Sequence, residues 1–187
     1  KGIRIYECAP SLPSQESSLT GRLKKLFLVT ANVFAPVTKK CLQASLAYLR
    51  HALHVQVNAK AVIADLIESG ELRTQPVDGI TYLYPSGNLI LGEVPRRVRF
   101  LAPFDPLVWD RRRFEHFWGW SYRFEAYTPQ SKRVRGYYAM PMLWGDSVIG
   151  WANVTAEKGV LDVKLGFASQ KPTEPNFRLE LEKEISS

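Results

Sequence analysis

The chain has 187 residues, 45% of them hydrophobic and 23% charged, with 25 Lys and Arg against 18 Asp and Glu for a net charge of +7. That is ordinary globular usage with enough apolar material to close a core, so a folded chain rather than a disordered one is expected. No apolar run approaches the roughly 18 to 20 residues of a membrane-spanning helix, and no signal peptide opens the chain, so a membrane partner is not expected.

Residues 3 to 7, IRIYE, alternate like a short strand, and CAPSLPSQESS reads as a linker because its prolines and serines interrupt any ladder; residues 1–17 are thus a strand and linker. From Leu19 the positions Leu23, Leu26, Phe27, Thr30 and Phe34 recur at helical spacing up to Pro36. A second helix is predicted over Val37 to His51, burying Cys41, Leu42, Leu46 and Leu49. A third follows Asn58, a good N-cap, with Val62, Ile63, Leu66 and Ile67 on its apolar side and a stop at Ser69-Gly70. Glu71 to Val77 and Ile80 to Tyr84 are strands joined by Asp78-Gly79, the preferred two-residue hairpin turn. Three helices followed by a hairpin is the order of a winged helix, which would span residues 18–87. In that arrangement the third helix lies in a groove and the hairpin touches backbone, so its exposed groups would include Lys60, Arg73, Gln75, Thr81 and Tyr82.

Past the turn at Pro85-Ser86-Gly87-Asn88, the run LILGEV opens a segment rich in strands. Arg97 to Leu101, Tyr122 to Tyr127, Val134 to Met142, Val148 to Thr155 and Val160 to Ala168 are all strand-like, with turn chemistry at Thr128-Pro129, Gly145-Asp146 and Lys158-Gly159. A short helix is predicted over Asp110 to Phe117, with Asp110 as its N-cap. Another closes the chain from Asn176, its Glu180, Glu182 and Glu184 forming a solvated acidic face. Short strands at this spacing predict a compact β-barrel-like, mostly antiparallel domain over residues 88–187. The fold class expected is therefore α+β, a winged helix followed by that domain and a C-terminal helix.

The positive charge is local: residues 96–135 carry a balance of +6, against +3 for residues 1–95 and −2 for residues 136–187. A concentrated excess of this kind makes nucleic acid the leading partner class, with a merely solvated basic face as the alternative. Within it, FLAPFDPLVWDRRRFEHFWGW sets three Trp beside Arg111, Arg112 and Arg113. Guanidinium forks suit phosphate oxygens, and aromatic faces suit bases or guanidinium groups. The competing structural reading makes Phe114, Phe117, Trp118, Trp120 and Phe124 core and pairs the arginines with Asp105, Asp110, Glu115 and Glu125. A second cluster, QSKRVRGYY, offers Lys132, Arg133 and Arg135. The expected backbone contacts are Arg96, Arg97, Arg99, Arg111, Arg112, Arg113, Lys132, Arg133 and Arg135, joined by Lys60 and Arg73, all neutralising phosphates and none reading bases.

Other chemistry has little foothold. Cys8 and Cys41 lie in no metal or disulfide spacing and fit a reducing, cytoplasmic setting. His51 and His54 share a helix face, but no third ligand stands near them in sequence, so no metal is expected. Asp105 and Asp110 could pair as acid and base, though salt bridges to the arginine triplet are the stronger reading. No glycine-rich phosphate loop, HExxH or GxSxG occurs, so no cofactor is expected.

The run RVRFLAPFDPLVWDRRRFEHFWGWSYRFEAYTPQSKRVRGYYAMPMLWGDSVIGWANV, residues 97 to 154, resembles the C-terminal signature of the YcaQ-type winged-helix DNA glycosylases, most specifically in PFDPLVWDRRR, WGW, YRFEAYTP and GYY. Residues 18 to 85 resemble the last of that family's tandem winged helices. The resemblance implies hydrolysis of N-glycosidic bonds without metal or cofactor, removal of bulky alkylated purines and unhooking of interstrand crosslinks in double-stranded DNA. Members of that family are longer, and their catalytic Gln-x-Gln or Gln-x-Asp motif lies in an N-terminal region with no counterpart here. The local echo Gln56-Val57-Asn58 is explained by helix capping, so the catalytic residues are unknown. The reading is the DNA-binding portion of a DNA-repair glycosylase acting on alkylated or crosslinked purines. The alternatives are a non-catalytic winged-helix DNA-binding protein and an interaction module that docks an acidic partner.

Overall fold

The structure, a computed structural model, describes residues 18–45, 58–87 and 92–186. The expected strand at 3 to 7 and its linker, Leu46, Leu49, the His51/His54 pair, Gln56-Val57 and the first half of LILGEV lie outside the described residues. The chain divides into two compact units, Lys1–Asn88 and Leu89–Ser187.

In the first unit, α1 (Leu19–Phe34) starts at Ser18, whose hydroxyl accepts the Gly21 N–H at 3.1 Å. Its inner stripe is Leu23, Phe27 and Ala31. The second helix, α2, begins at residue 39 rather than at Val37 and is described through 45. Val37 and Thr38 instead form β1, antiparallel to Leu83 and Tyr82. The two β-branched side chains favour the extended backbone, and the Thr38 hydroxyl then accepts the Cys41 N–H at 3.2 Å, capping the helix behind it. Helix α3 (Ala59–Glu68) is capped as its sequence predicts, Asn58 accepting from the Ala61 N–H at 3.2 Å. Strands β2 (Leu72–Val77) and β3 (Ile80–Pro85) form the predicted hairpin. Asp78 at φ 44° and Gly79 at φ 80° adopt the left-handed pair that a two-residue turn requires. The three-stranded sheet runs β1-β3-β2, and Phe27, Ala31, Leu42, Ile63, Leu66, Leu72 and Leu83 close the core beneath it. Tyr82, expected at the surface, is buried, because β3 is the central strand and Tyr82 sits between Thr38 and Gln75.

The second unit is built on an open antiparallel sheet ordered β4-β5-β6-β7: Val98–Phe100, Met140–Trp144, Ser147–Glu157 and Val160–Phe167. Alternation along the strands sends side chains to two different cores. Val98, Met142, Trp144 and Ile149 pack with Phe177 and Leu181 of α6 (Pro175–Ile185). Leu143 and Val148 pack on the other face with Leu101, Val108, Phe114 and Tyr122. The barrel expected from strand spacing is therefore not formed among the described residues. Both sheet faces are already covered, by α6 on one side and by α4 (Pro106–Trp109), α5 (Arg111–Trp118) and the segment after them on the other.

Two predicted strands explain the overcount. Tyr122 to Tyr127 and 134 to 139 are irregular rather than extended ladder partners. Tyr122 buries its ring and donates its hydroxyl to the Ala139 carbonyl at 2.6 Å, tying the two segments by a side chain instead of by paired backbones. Between them lies a single turn of 3₁₀ helix, Gln130–Lys132. Helix α4, absent from the sequence reading, had a legible start: Asp105 accepts the Leu107 N–H at 2.8 Å and Pro106 occupies the first turn.

Candidate nucleic-acid interface

The two aspartates of the PFDPLVWDRRR run both serve as helix caps. Asp110 accepts the N–H groups of Arg112 and Arg113 at 3.1 and 3.2 Å, and Asp105 caps α4, so neither is held as half of an acid/base pair. With two helices meeting at Asp110, the triplet points three ways. Arg111 folds back, donating to the Val108 carbonyl at 2.7 Å and the Pro103 carbonyl at 2.8 Å, and its guanidinium lies 4.5 Å from the centre of the Tyr122 ring. Burial lowers its pKa from the ordinary value, against the attraction of Tyr122. Burial likewise pushes the Tyr122 hydroxyl up to about 12, against the attraction of Arg111, so the phenol stays neutral across the physiological range. Arg113 is only 3% exposed and donates to the Pro106 carbonyl. Arg112 alone of the three is exposed. Main-chain carbonyls are partners of both Arg111 and Arg113, because the α4–α5 corner turns several C=O groups inward.

Trp118 and Trp120 are fixed in the same way. Their indole N–H groups donate to the carbonyls of Asp146 at 3.0 Å and Val148 at 2.8 Å, anchoring the WGW stretch to the start of β6. Phe114 is buried beneath them, with Trp118 and Trp120 edge-on at 4.8 and 5.0 Å. Of the five rings that the structural reading assigns to the core, Phe114 is buried, Trp118, Trp120 and Phe124 are half-buried, and Phe117, 36% exposed, is the least covered.

The second cluster is organised by Glu125, a residue only 6% exposed. One of its oxygens accepts three successive backbone N–H groups, from Val134 at 2.9 Å, Arg135 at 2.8 Å and Gly136 at 3.2 Å. Gly136 at φ 123° supplies the turn that brings the third amide in. Burial alone would raise the carboxyl pKa; the three amides together with Arg135 outweigh it and hold the group below its ordinary range. Arg133 donates to the Thr128 carbonyl at 2.8 Å and lies 5.0 Å from the Tyr137 ring centre. Arg135 donates to the Ser121 carbonyl at 2.7 Å, with its guanidinium 5.3 Å from Trp120 and 5.4 Å from Trp151. Lys132 is exposed, and so is Arg123, which the sequence reading passed over although it stands inside YRFEAYTP.

The arginines around β4 meet the C-terminal helix. Arg99 pairs with Glu184 at 2.9 Å, and Arg96 approaches Glu174 at 3.5 Å while its guanidinium lies 5.8 Å from the Trp144 ring. Glu184 also accepts the Phe100 N–H at 2.7 Å. The acidic run of α6 is thus not a simple solvated face: Glu184 clamps strand β4, and Lys183, with Arg97 and Arg99 contributing, holds the Glu180 carboxyl below its ordinary pKa. Arg97 is itself exposed. In the first unit Lys60, in the first turn of α3, and Arg73, on β2, are both exposed, as are Gln75 and Thr81. No helix among the described residues is long and apolar enough to cross a membrane.

The second unit places exposed Arg123 and Lys132 and the exposed rings of Tyr127, Tyr137 and Tyr138 on one loop region. A model of the AlkZ-like DNA glycosylase family matches residues 4–186, and the chain belongs to that family. No solved structure matches the chain. Membership makes DNA the partner class of the protein.

Proposed function

We propose that this chain provides the DNA-clasping part of a repair glycosylase that removes alkylated or crosslinked purines from duplex DNA. The first unit acts as a winged helix, α3 approaching a groove with Lys60 and the β2–β3 hairpin meeting backbone through Arg73. In the second unit the phosphate contacts are Arg97, Arg112, Lys132 and Arg133, with Arg123 added. Arg111, Arg113 and Arg135 shape the surface from behind, while Arg96 and Arg99 divide their charge between DNA and the carboxylates of Glu174 and Glu184.

The observation that carries this reading is the inward turn of Glu125. With its one carboxylate satisfied by backbone amides, the charges that the 123–138 loop offers to solvent are all positive, which suits a strand of phosphates. The test is to incubate the purified chain with alkylated duplex at low and moderate salt and to score mobility shift and base release together. Binding that weakens steeply with salt supports the reading, and release of free purine adds the enzymatic half. Salt-independent or absent binding refutes it and favours an acidic protein partner.

A further inference from the structure

Several rings of the second unit are left in water where a folded domain would ordinarily cover them. Tyr127 is 91% exposed, Phe104 65% and Tyr138 44%. They are not scattered. Phe124 is a hub, its ring centre 5.2 Å from Phe104, 6.1 Å from Tyr127 and 5.5 Å from Tyr138, each pair edge-to-face. Exposing such a cluster forgoes its hydrophobic burial, so contiguous exposed rings mark a contact surface.

The cluster is also rigidly mounted. The segment carrying it is tied from beneath by the Tyr122 hydroxyl on Ala139, by the three amides on Glu125 and by Arg133 on the Thr128 carbonyl. Rings held in place before binding lose little freedom when a flat partner settles on them. On the 123–138 segment, which carries Phe124, Tyr127 and Tyr138, the charge left to solvent has one sign, since Arg123, Lys132 and Arg133 stand on it and its one carboxylate, Glu125, faces inward. Cations interleaved with exposed π faces match a partner that carries phosphates along its backbone and flat rings at its side.

A continuous duplex offers the phosphates but hides the ring faces in its own stack. We infer that the aromatic cluster centred on Phe124 binds unpaired DNA bases by stacking, so that the protein favours DNA with a locally opened duplex over fully paired DNA. This rests on the reading of the chain as a DNA binder and goes beyond it by naming the state of the DNA.

The experiment compares two probes of equal length, a fully paired duplex and the same duplex with a central run of unpaired thymines, using the full chain and its Tyr127→Ala, Tyr127→Phe and Tyr138→Ala variants. Tyr127 is almost wholly in solvent, so its truncation leaves folding intact. The chain is expected to bind the opened probe more tightly. Each Ala variant is expected to weaken that binding about 5- to 150-fold, the loss of one stacked base, with duplex affinity unchanged and Tyr127→Phe restoring the preference. Equal affinity of the unaltered chain for both probes, or equal effects of the Ala variants on both, overturns the stacking inference while leaving duplex binding in place. Failure to bind either probe removes the DNA reading itself. A polyglutamate peptide bound better than both probes, with the Tyr127→Ala loss seen only there, reassigns the cluster to an acidic protein.

Discussion

Glu125→Ala removes the one acceptor that holds the 134–136 backbone turn. Three N–H groups, at 2.8 to 3.2 Å from a single carboxylate oxygen, lose their partner together. A hydrogen bond to a charged group contributes about 1.5 to 3 kcal/mol, but three on one oxygen do not add, and burying the carboxylate offsets part of the gain. A net loss of about 3 kcal/mol is expected, which for a unit of about 100 residues lowers the midpoint of thermal unfolding by about 15 °C. The assay is built into the chain: Trp109, Trp118, Trp120, Trp144 and Trp151 are its five tryptophans, and all fall in the unit Leu89–Ser187, so indole fluorescence follows that unit alone. The acid limb gives an independent check. Because the native carboxyl titrates below its ordinary value of 4.5, the stability it contributes is complete above that pH and is lost as pH falls below it through the native pKa. Glu125→Gln, which keeps an acceptor without the charge, should flatten this limb. A stability change under about 1 kcal/mol for Glu125→Ala, with an acid limb identical to that of the unaltered chain, would refute the role given to this side chain.

Arg113→Ala and Arg112→Ala should behave oppositely although they are neighbours. The buried guanidinium of Arg113 supports the α4–α5 corner, so its removal is expected to cost the second unit about 3 kcal/mol in denaturant unfolding. Arg112→Ala should shift stability by less than about 0.5 kcal/mol while lowering the salt slope of duplex binding by about one. In the sheet, Gly150→Ala would set a Cβ 2.1 Å from the Gly166 carbonyl oxygen, with backbone all around it. The β6–β7 pairing must part to admit it, and a loss of about 2 kcal/mol or more in the same fluorescence unfolding is expected.

Much of the first unit was legible because its signals are local. Asn58 caps α3 and Asp78-Gly79 makes the hairpin turn, as in the second unit Asp110 caps α5, each through contacts spanning three residues or fewer. What the sequence obscured depends on distant partners. Tyr122 to Tyr127 alternates like a strand, yet its residues have separate fates: Tyr122 reaches Ala139, Glu125 reaches the amides of 134–136, and Tyr127 goes to solvent. Period-two spacing cannot separate a ladder from a segment whose side chains each find their own anchor. The arginine triplet was misleading for a related reason. Cations can be satisfied by carbonyl groups as well as by carboxylates, and carbonyls leave no trace in composition. Arg111 and Arg113 therefore read as surface charge, although the helix corner turns them inward.

Strand β4 is three residues long and forms one border of its sheet, which would ordinarily leave a backbone donor open to any extended chain that drifts alongside. The Phe100 amide instead meets the carboxylate of Glu184, whose second oxygen is held by Arg99. Helix α6 thus closes this border of the sheet: shortening the chain before Glu184 would leave the Phe100 N–H open to strand addition.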